Sequence, residues 1–222
     1  AKAAVGSVAG PGTYASLVTC IHEELRPVLL GQNPGHITRL WETMYNGTRA
    51  HYALERGRTF PILGCRGLTV SAISGVDMAL WDVLGKPPGV PVVDLIGGPC
   101  RDAMMAYASG GWAPVDGIGA QLQGYVDKGF QAVKMRVGVM DETVGASVAR
   151  VHAARAALGP YVRLMADAHG TYSVKEAQRF CRLVEAADLY WFEEPVSAAA
   201  RAGQAEVRAS TGAPIAAGAS EF

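Results

Sequence analysis

The sequence has no excess charge of either sign: 20 Lys and Arg balance 20 Asp and Glu over 222 residues. It therefore carries no electrostatic footprint for nucleic acid or an anionic membrane surface. No apolar run approaches the roughly 20 residues of a membrane span. The opening residues lack the basic start, apolar stretch and cleavage site of a signal peptide, so a cytoplasmic location is expected. There is no initiator Met, and a processed or truncated start is expected. Cys20, Cys65, Cys100 and Cys181 form no CxxC pair, which argues against a zinc ribbon or a disulfide framework and reads as four reduced thiols. No GxGxxG opens the first strand-helix turn, so a dinucleotide-binding Rossmann domain loses its main support.

What is present is apolar. Half of the residues are hydrophobic and only 18% are charged, enough for a sizeable core and too many for disorder. The first part reads as helical: Thr13 to Leu30, Ile37 to Tyr45, and Gly67 to Leu84, with Val70, Ile73, Val76, Leu80, Trp81 and Leu84 recurring at three and four. Val92 to Ile96 reads as a short helical turn before the break at Gly97-Gly98-Pro99. After it the pattern becomes a repeat. Short apolar runs begin at Met104, Ala132, Val162, Leu189 and Pro214, spaced 25 to 30 residues apart. Amphipathic helical segments lie between them, at Ile118 to Lys128, Asp141 to Leu158, Ser173 to Ala187 and Ala198 to Ser210. Strand-helix units at this period imply a parallel sheet flanked by helices, which suits a barrel or a doubly wound sheet.

Polar residues punctuate the ends of the runs: Lys134 and Arg136, then Asp167 and His169, then Glu193 and Glu194, then Gly218, Ala219 and Glu221. Barrel enzymes place their chemistry on that rim. Asp167 and Glu193 are 26 residues apart, and a further step of 26 reaches position 219. Three carboxylates on adjacent strand ends would offer hard oxygen ligands to Mg²⁺, but position 219 is Ala. Strand alternation turns Glu194 away from Glu193. Lys134, desolvated beside a cation, is expected to have a lowered pKa, whereas Arg136 is a poor base and suits carboxylate binding.

The segments AVKMRVG, LMADAHG, WFEEPV and PIAAGASEF resemble the enolase superfamily, in its mandelate racemase and muconate lactonizing branch. The helix VSAISGVDMALWDVLGK with PVVDLIGG resembles the end of that family's capping domain. The resemblance implies an α/β chain with two parts. Residues 1–98 would be a mostly helical remnant of an α+β capping domain lacking its first strands. Residues 99–222 would be about five strands of a (β/α) barrel, roughly half of the 250 residues a full barrel takes. It further implies Mg²⁺ held by Asp167 and Glu193, with Glu221 as a substitute for the residue missing at 219. The reaction would be abstraction of the proton alpha to a carboxylate with stabilisation of the enediolate. Lys134, Arg136 and His169 would be catalytic. Family members with Lys-x-Lys use the second Lys as base, where this chain has Arg136. Asp-x-His resembles the acid-sugar dehydratases, where the His is the general acid for the leaving hydroxide. A sugar-acid substrate follows, with racemisation or cycloisomerisation as the alternative.

Two other readings stand beside this one. In the first the chain is a non-catalytic fragment, lacking later-strand acid/base groups and needing a partner or a homo-oligomer to cover an open sheet edge. In the second it binds a small carboxylate without turning it over. Val8 to Tyr14 and Gly111-Trp112 are candidate substrate loops. His22, His36, His51 and His152 lie away from any carboxylate cluster and are expected to be structural.

Overall fold

The computed structural model describes residues 13–46, 55–56 and 67–218. They fall into two compact units divided after Asp102.

In the first unit, α1 (Thr13–Cys20) continues through a π-helical turn, Ile21–Leu25, into α2 (Arg26–Leu29). The expected single helix is thus present but widened in the middle. Pro27 supplies no N–H, and its ring crowds the carbonyl four residues back, so the extra residue of a π turn relieves the conflict. α3 (Ile37–Asn46) and α4 (Leu68–Gly85) follow, then α5 (Val92–Leu95). α4 packs on α1 and α3, with Ala72 and Ile73 buried beside Leu17, Cys20, Leu25 and Met44. By length and composition alone α4 could cross a membrane, with a mean hydropathy of 1.3. Within this unit it contacts α1 and α3 and buries Ala72 and Ile73, while Leu68, Met78, Val83 and Leu84 are exposed. It ends at Gly85 because Val90 N–H donates to the Gly85 carbonyl, and a Cβ there would lie 2.3 Å from the Val90 oxygen.

The second unit is a parallel sheet of five strands in sequence order: β1 (Ala108–Ser109), β2 (Ala132–Arg136), β3 (Arg163–Asp167), β4 (Trp191–Glu193) and β5 (Ile215–Ala216). One helix separates each pair: α6 (Ile118–Val126), α7 (Val144–Leu158), α8 (Val174–Val184) and α9 (Arg201–Ala209). A doubly wound sheet would reverse strand order partway along. The unbroken β1-to-β5 order is the progression of a (β/α) barrel. β1 sits at the very end of its predicted run, leaving Met104, Met105 and Tyr107 exposed, because only Ala108 and Ser109 pair with β2.

Local chemistry sets the helix starts. Thr143 caps α7, and Ser173 with Glu176 forms a reciprocal capping box on α8. The strands sort their side chains by period two. Val133, Met135, Leu164, Ala166 and Phe192 join the helix-side core, where Phe180 packs 4.8 Å from Phe192. At the lower end, Arg155 fastens the turns before β3 and β4, donating to the carbonyls of Ala187 (2.7 Å), Gly159 (2.8 Å), Val162 (2.7 Å) and Asp188 (3.1 Å). Burial pushes its pKa down, against the Asp188 charge.

Candidate active site

The other face of the strands carries, among others, Lys134 and Arg136 from β2, Met165 and Asp167 from β3, and Trp191 and Glu193 from β4. Sheet register sets their levels. Arg136 pairs with Asp167, and Asp167 with Glu193, so these three share one level at the C-terminal end. Lys134 and Trp191 flank Met165 on the level beneath.

The side chains converge. Lys134 Nζ donates to Glu193 Oε1 at 2.7 Å and lies 3.3 Å from Asp167 Oδ2. Arg136 NH1 lies 2.6 Å from Asp167 Oδ2 and 3.0 Å from His169 Nδ1. The second Asp167 oxygen accepts from the His169 backbone N–H at 2.9 Å, and Glu193 Oε2 accepts from Trp191 Nε1 at 3.0 Å. Lys134 also faces the Tyr107 ring at 5.6 Å, and the Arg136 guanidinium covers the Trp112 ring at 5.2 Å. A cavity of about 10 Å³ opens among Trp112, Lys134, Arg136 and Asp167.

Two expectations are corrected. The first is that Lys134 has a lowered pKa. Burial does pull it down, but the hydrogen bond to Glu193 and the charges of Glu193 and Asp167 outweigh burial and raise it. Lys134 is an ammonium in this arrangement. The second concerns Glu194. Alternation requires extended backbone, but Glu194 has φ 41° and His169 φ 54°. These left-handed turns, costing roughly 1–2 kcal/mol each, bring Glu194 back to the cluster. Its Oε2 lies 3.8 Å from His169 Nδ1, and ligand atoms of Asp167, His169 and Glu194 all fall within 4.8 Å of one another.

The structure thus brings Lys134, Arg136, Asp167, His169 and Glu193 together. Ala219, Glu221 and Val8 to Gly12 lie outside the described residues, and Thr13 and Tyr14 already belong to α1. Sequence reasoning turned Glu194 away from this cluster and missed Trp191, although Trp191 stands two residues before Glu193 on one strand and period two would have found it. His152 contacts the Leu183 carbonyl at 2.9 Å, as a structural residue would. Among the described residues Cys20, Cys100 and Cys181 are free thiols.

The donor set fits a hard divalent ion. Asp167 and Glu193 present carboxylate oxygens from adjacent strand ends, Asp167 is buried, and cations already balance both groups.

Residues 4–97 match the N-terminal domain model of mandelate racemase and muconate lactonizing enzyme, and residues 117–222 match the enolase C-terminal domain-like model. A D-galactonate dehydratase of Ralstonia nicotianae is 39% identical over 214 residues, 93% of this chain and 52% of that protein. A D-galactarolactone cycloisomerase of Agrobacterium fabrum is 34% identical over 195 residues, 86% and 48% of the two chains. A racemase from Streptomyces coelicolor A3(2), solved with bound magnesium, superposes with TM-score 0.80 at 34% identity over 94% of this chain and 55% of its own. The 3,6-anhydro-D-galactonate cycloisomerase of Zobellia galactanivorans gives 0.82 at 33% identity, over 96% and 56%. The chain spans about half the length of the curated relatives it matches. With both domain models matched in order and the sheet running in barrel sequence, this chain belongs to the enolase superfamily, in the mandelate racemase and muconate lactonizing enzyme branch.

Proposed function

We propose that the protein to which this chain belongs is a Mg²⁺-dependent lyase that dehydrates a sugar acid to a 2-keto-3-deoxy acid. The observation that carries this reading is the level set by register, where Asp167 and Glu193 stand side by side with Lys134 and Arg136 against them. Asp167 and Glu193 would hold the ion, and its charge would offset the negative charge that builds on the substrate carboxylate as the alpha proton leaves. Arg136 would bind the substrate's carboxylate through its guanidinium fork, and Lys134, which faces Asp167 and Glu193, stands beside it. His169 takes the alpha proton on Nδ1 as Arg136 turns to the substrate carboxylate, and the imidazolium returns it to the departing hydroxyl, which leaves as water. A guanidinium can only donate, so while Arg136 faces Nδ1 the neutral ring carries its hydrogen on Nε2. Glu194 is the neighbouring carboxylate that supports the imidazolium needed to protonate the departing hydroxyl. The substrate class follows the dehydratase relatives and the Asp-x-His pair.

The test is a sugar-acid library with Mg²⁺, read as 2-keto product, alongside calorimetric titration of Mg²⁺. Product that disappears in Asp167→Asn supports the reading. Silence across the library from a protein that binds Mg²⁺ sinks the dehydration reading, and absence of Mg²⁺ binding sinks the metal reading. Ala219 favours a second reading, a carboxylate-binding protein without turnover. Heat on titration with sugar acids and no product formed would select it.

A further inference from the structure

Beneath the rim, a buried polar chain joins the loops that follow β1, β2 and β3. Its centre is Ser147 on α7, fully buried. The Ser147 hydroxyl donates to Asp141 Oδ2 at 2.6 Å and accepts from Tyr172 O–H at 2.7 Å and Gly138 N–H at 3.1 Å. One donor and two lone pairs are all used. Asp141 in turn faces Arg150 NH1, with both oxygens at 3.1 Å. Arg150 is 4% exposed. Its guanidinium donates to the carbonyls of Arg136 and Ala113 at 2.9 Å and of Gly111 at 2.9 Å.

These acceptors bracket the rim. Arg136 and Gly111 are also joined to each other, Arg136 N–H to Gly111 carbonyl at 3.2 Å. Between Gly111 and Ala113 stands Trp112, the residue whose ring lies under the Arg136 guanidinium. Tyr172 follows His169 by three residues in the β3 loop. A cavity of about 400 Å³ adjoins, lined by Trp112, Val115, Met140 and Thr143 among others. Trp112 therefore has open space beside it, and its backbone is held from two sides: Arg150 takes the flanking carbonyls, and Gln121 Oε1 accepts from the Trp112 and Ala113 N–H groups at 2.9 and 2.8 Å.

We propose that the Arg150–Asp141–Ser147–Tyr172 chain is a positioning device for the anion-binding rim. Arg150 is a positioning residue that holds Arg136 and Trp112 stacked, and Tyr172 ties the His169 loop to the same anchor. Its importance for sugar-acid binding rests on the function proposed above, but its effect on Trp112 does not.

The experiment uses the whole chain with Ser147→Ala, Tyr172→Phe, Asp141→Asn and Arg150→Met, and with Val207→Ala on α9 as a core-destabilising control that takes no part in the chain of bonds. Acrylamide quenching of Trp112, obtained as the difference from each variant carrying Trp112→Phe, is read well below the unfolding temperature. Ser147→Ala and Asp141→Asn are expected to raise Trp112 quenching and shift its emission to the red, while Val207→Ala leaves both unchanged. Affinity for galactonate with Mg²⁺ is expected to fall about tenfold in Ser147→Ala, the worth of one hydrogen bond. Arg150→Lys should not rescue Arg150→Met, because an ammonium lacks the fork that reaches three carbonyls. Wild-type quenching in folded Ser147→Ala and Asp141→Asn overturns the proposal, even if Arg150→Met fails to fold. Altered quenching in a protein that binds no sugar acid leaves the positioning device standing and removes the proposed substrate.

Discussion

Replacing Lys134 with Met removes the ammonium that bridges Glu193 and Asp167 at 2.7 and 3.3 Å. Asp167 keeps Arg136 and Glu193 keeps Trp191, but both carboxylates lose their shared counter-charge. Breaking a buried ion pair costs about 3–5 kcal/mol. The Glu193 side chain is 20% exposed, so water returns part of this, and about 2–4 kcal/mol is expected. A divalent ion would reverse the loss, since a ligand at a hundred times its Kd stabilises by about 2.7 kcal/mol. Mg²⁺ should therefore stabilise Lys134→Met more than wild type, where the ammonium already faces the same oxygens. The assay is urea unfolding with and without Mg²⁺ or EDTA, followed by tryptophan fluorescence, because Trp191 bonds to Glu193 and reports on the site. Two results refute the reasoning. One is a variant within about 0.5 kcal/mol of wild type without ions, the range of an ordinary surface change. The other is a pair of Mg²⁺ and EDTA curves that superimpose for both proteins.

Arg155→Met strips four carbonyls of their donor and should cost about 3 kcal/mol, read as a drop in urea midpoint, with Arg155→Lys recovering part. The Tyr172 hydroxyl, raised by burial to about 12, should be silent when phenolate absorbance is titrated through pH 10. Its folded pKa exceeds the unfolded value of about 10, so its contribution is whole below pH 10 and is lost as pH rises towards 12. Tyr172→Phe should remove that alkaline loss of stability, and an unchanged alkaline profile would contradict it. Gly138→Ala combines φ 82° with a Cβ 2.4 Å from Thr171 Oγ1. It should destabilise by at least about 1–2 kcal/mol, measured by thermal melting, and Thr171→Ser should not relieve it, because the hydroxyl remains.

Periodicity made much of the second unit legible. Apolar runs at 25–30 residues gave the strands, and polar residues at their ends gave the rim, because both features are local. The step of 26 from Asp167 to Glu193 became a shared level once β3 and β4 paired in register. What stayed hidden depends on partners rather than on faces. The ammonium state of Lys134 is set by carboxylates 33 and 59 positions away in sequence. Glu194 was placed by an extended backbone that the chain abandons at φ 41°. Nothing in the segment around Arg150 announces the three carbonyls it meets, one at the end of β2 and two in the loop after β1.

Charge balance at the rim links these points. Asp167, Glu193 and Glu194 carry three negative charges against Lys134 and Arg136. The remainder of one negative charge attracts a divalent ion only moderately. Loaded with a doubly charged ion, the same set becomes net positive and attracts a carboxylate. Arg136 trades basicity for anion binding, because a guanidinium keeps its charge at neutral pH. Trp112 fits that trade: stacked beneath the guanidinium, it fixes the orientation of a fork suited to a carboxylate.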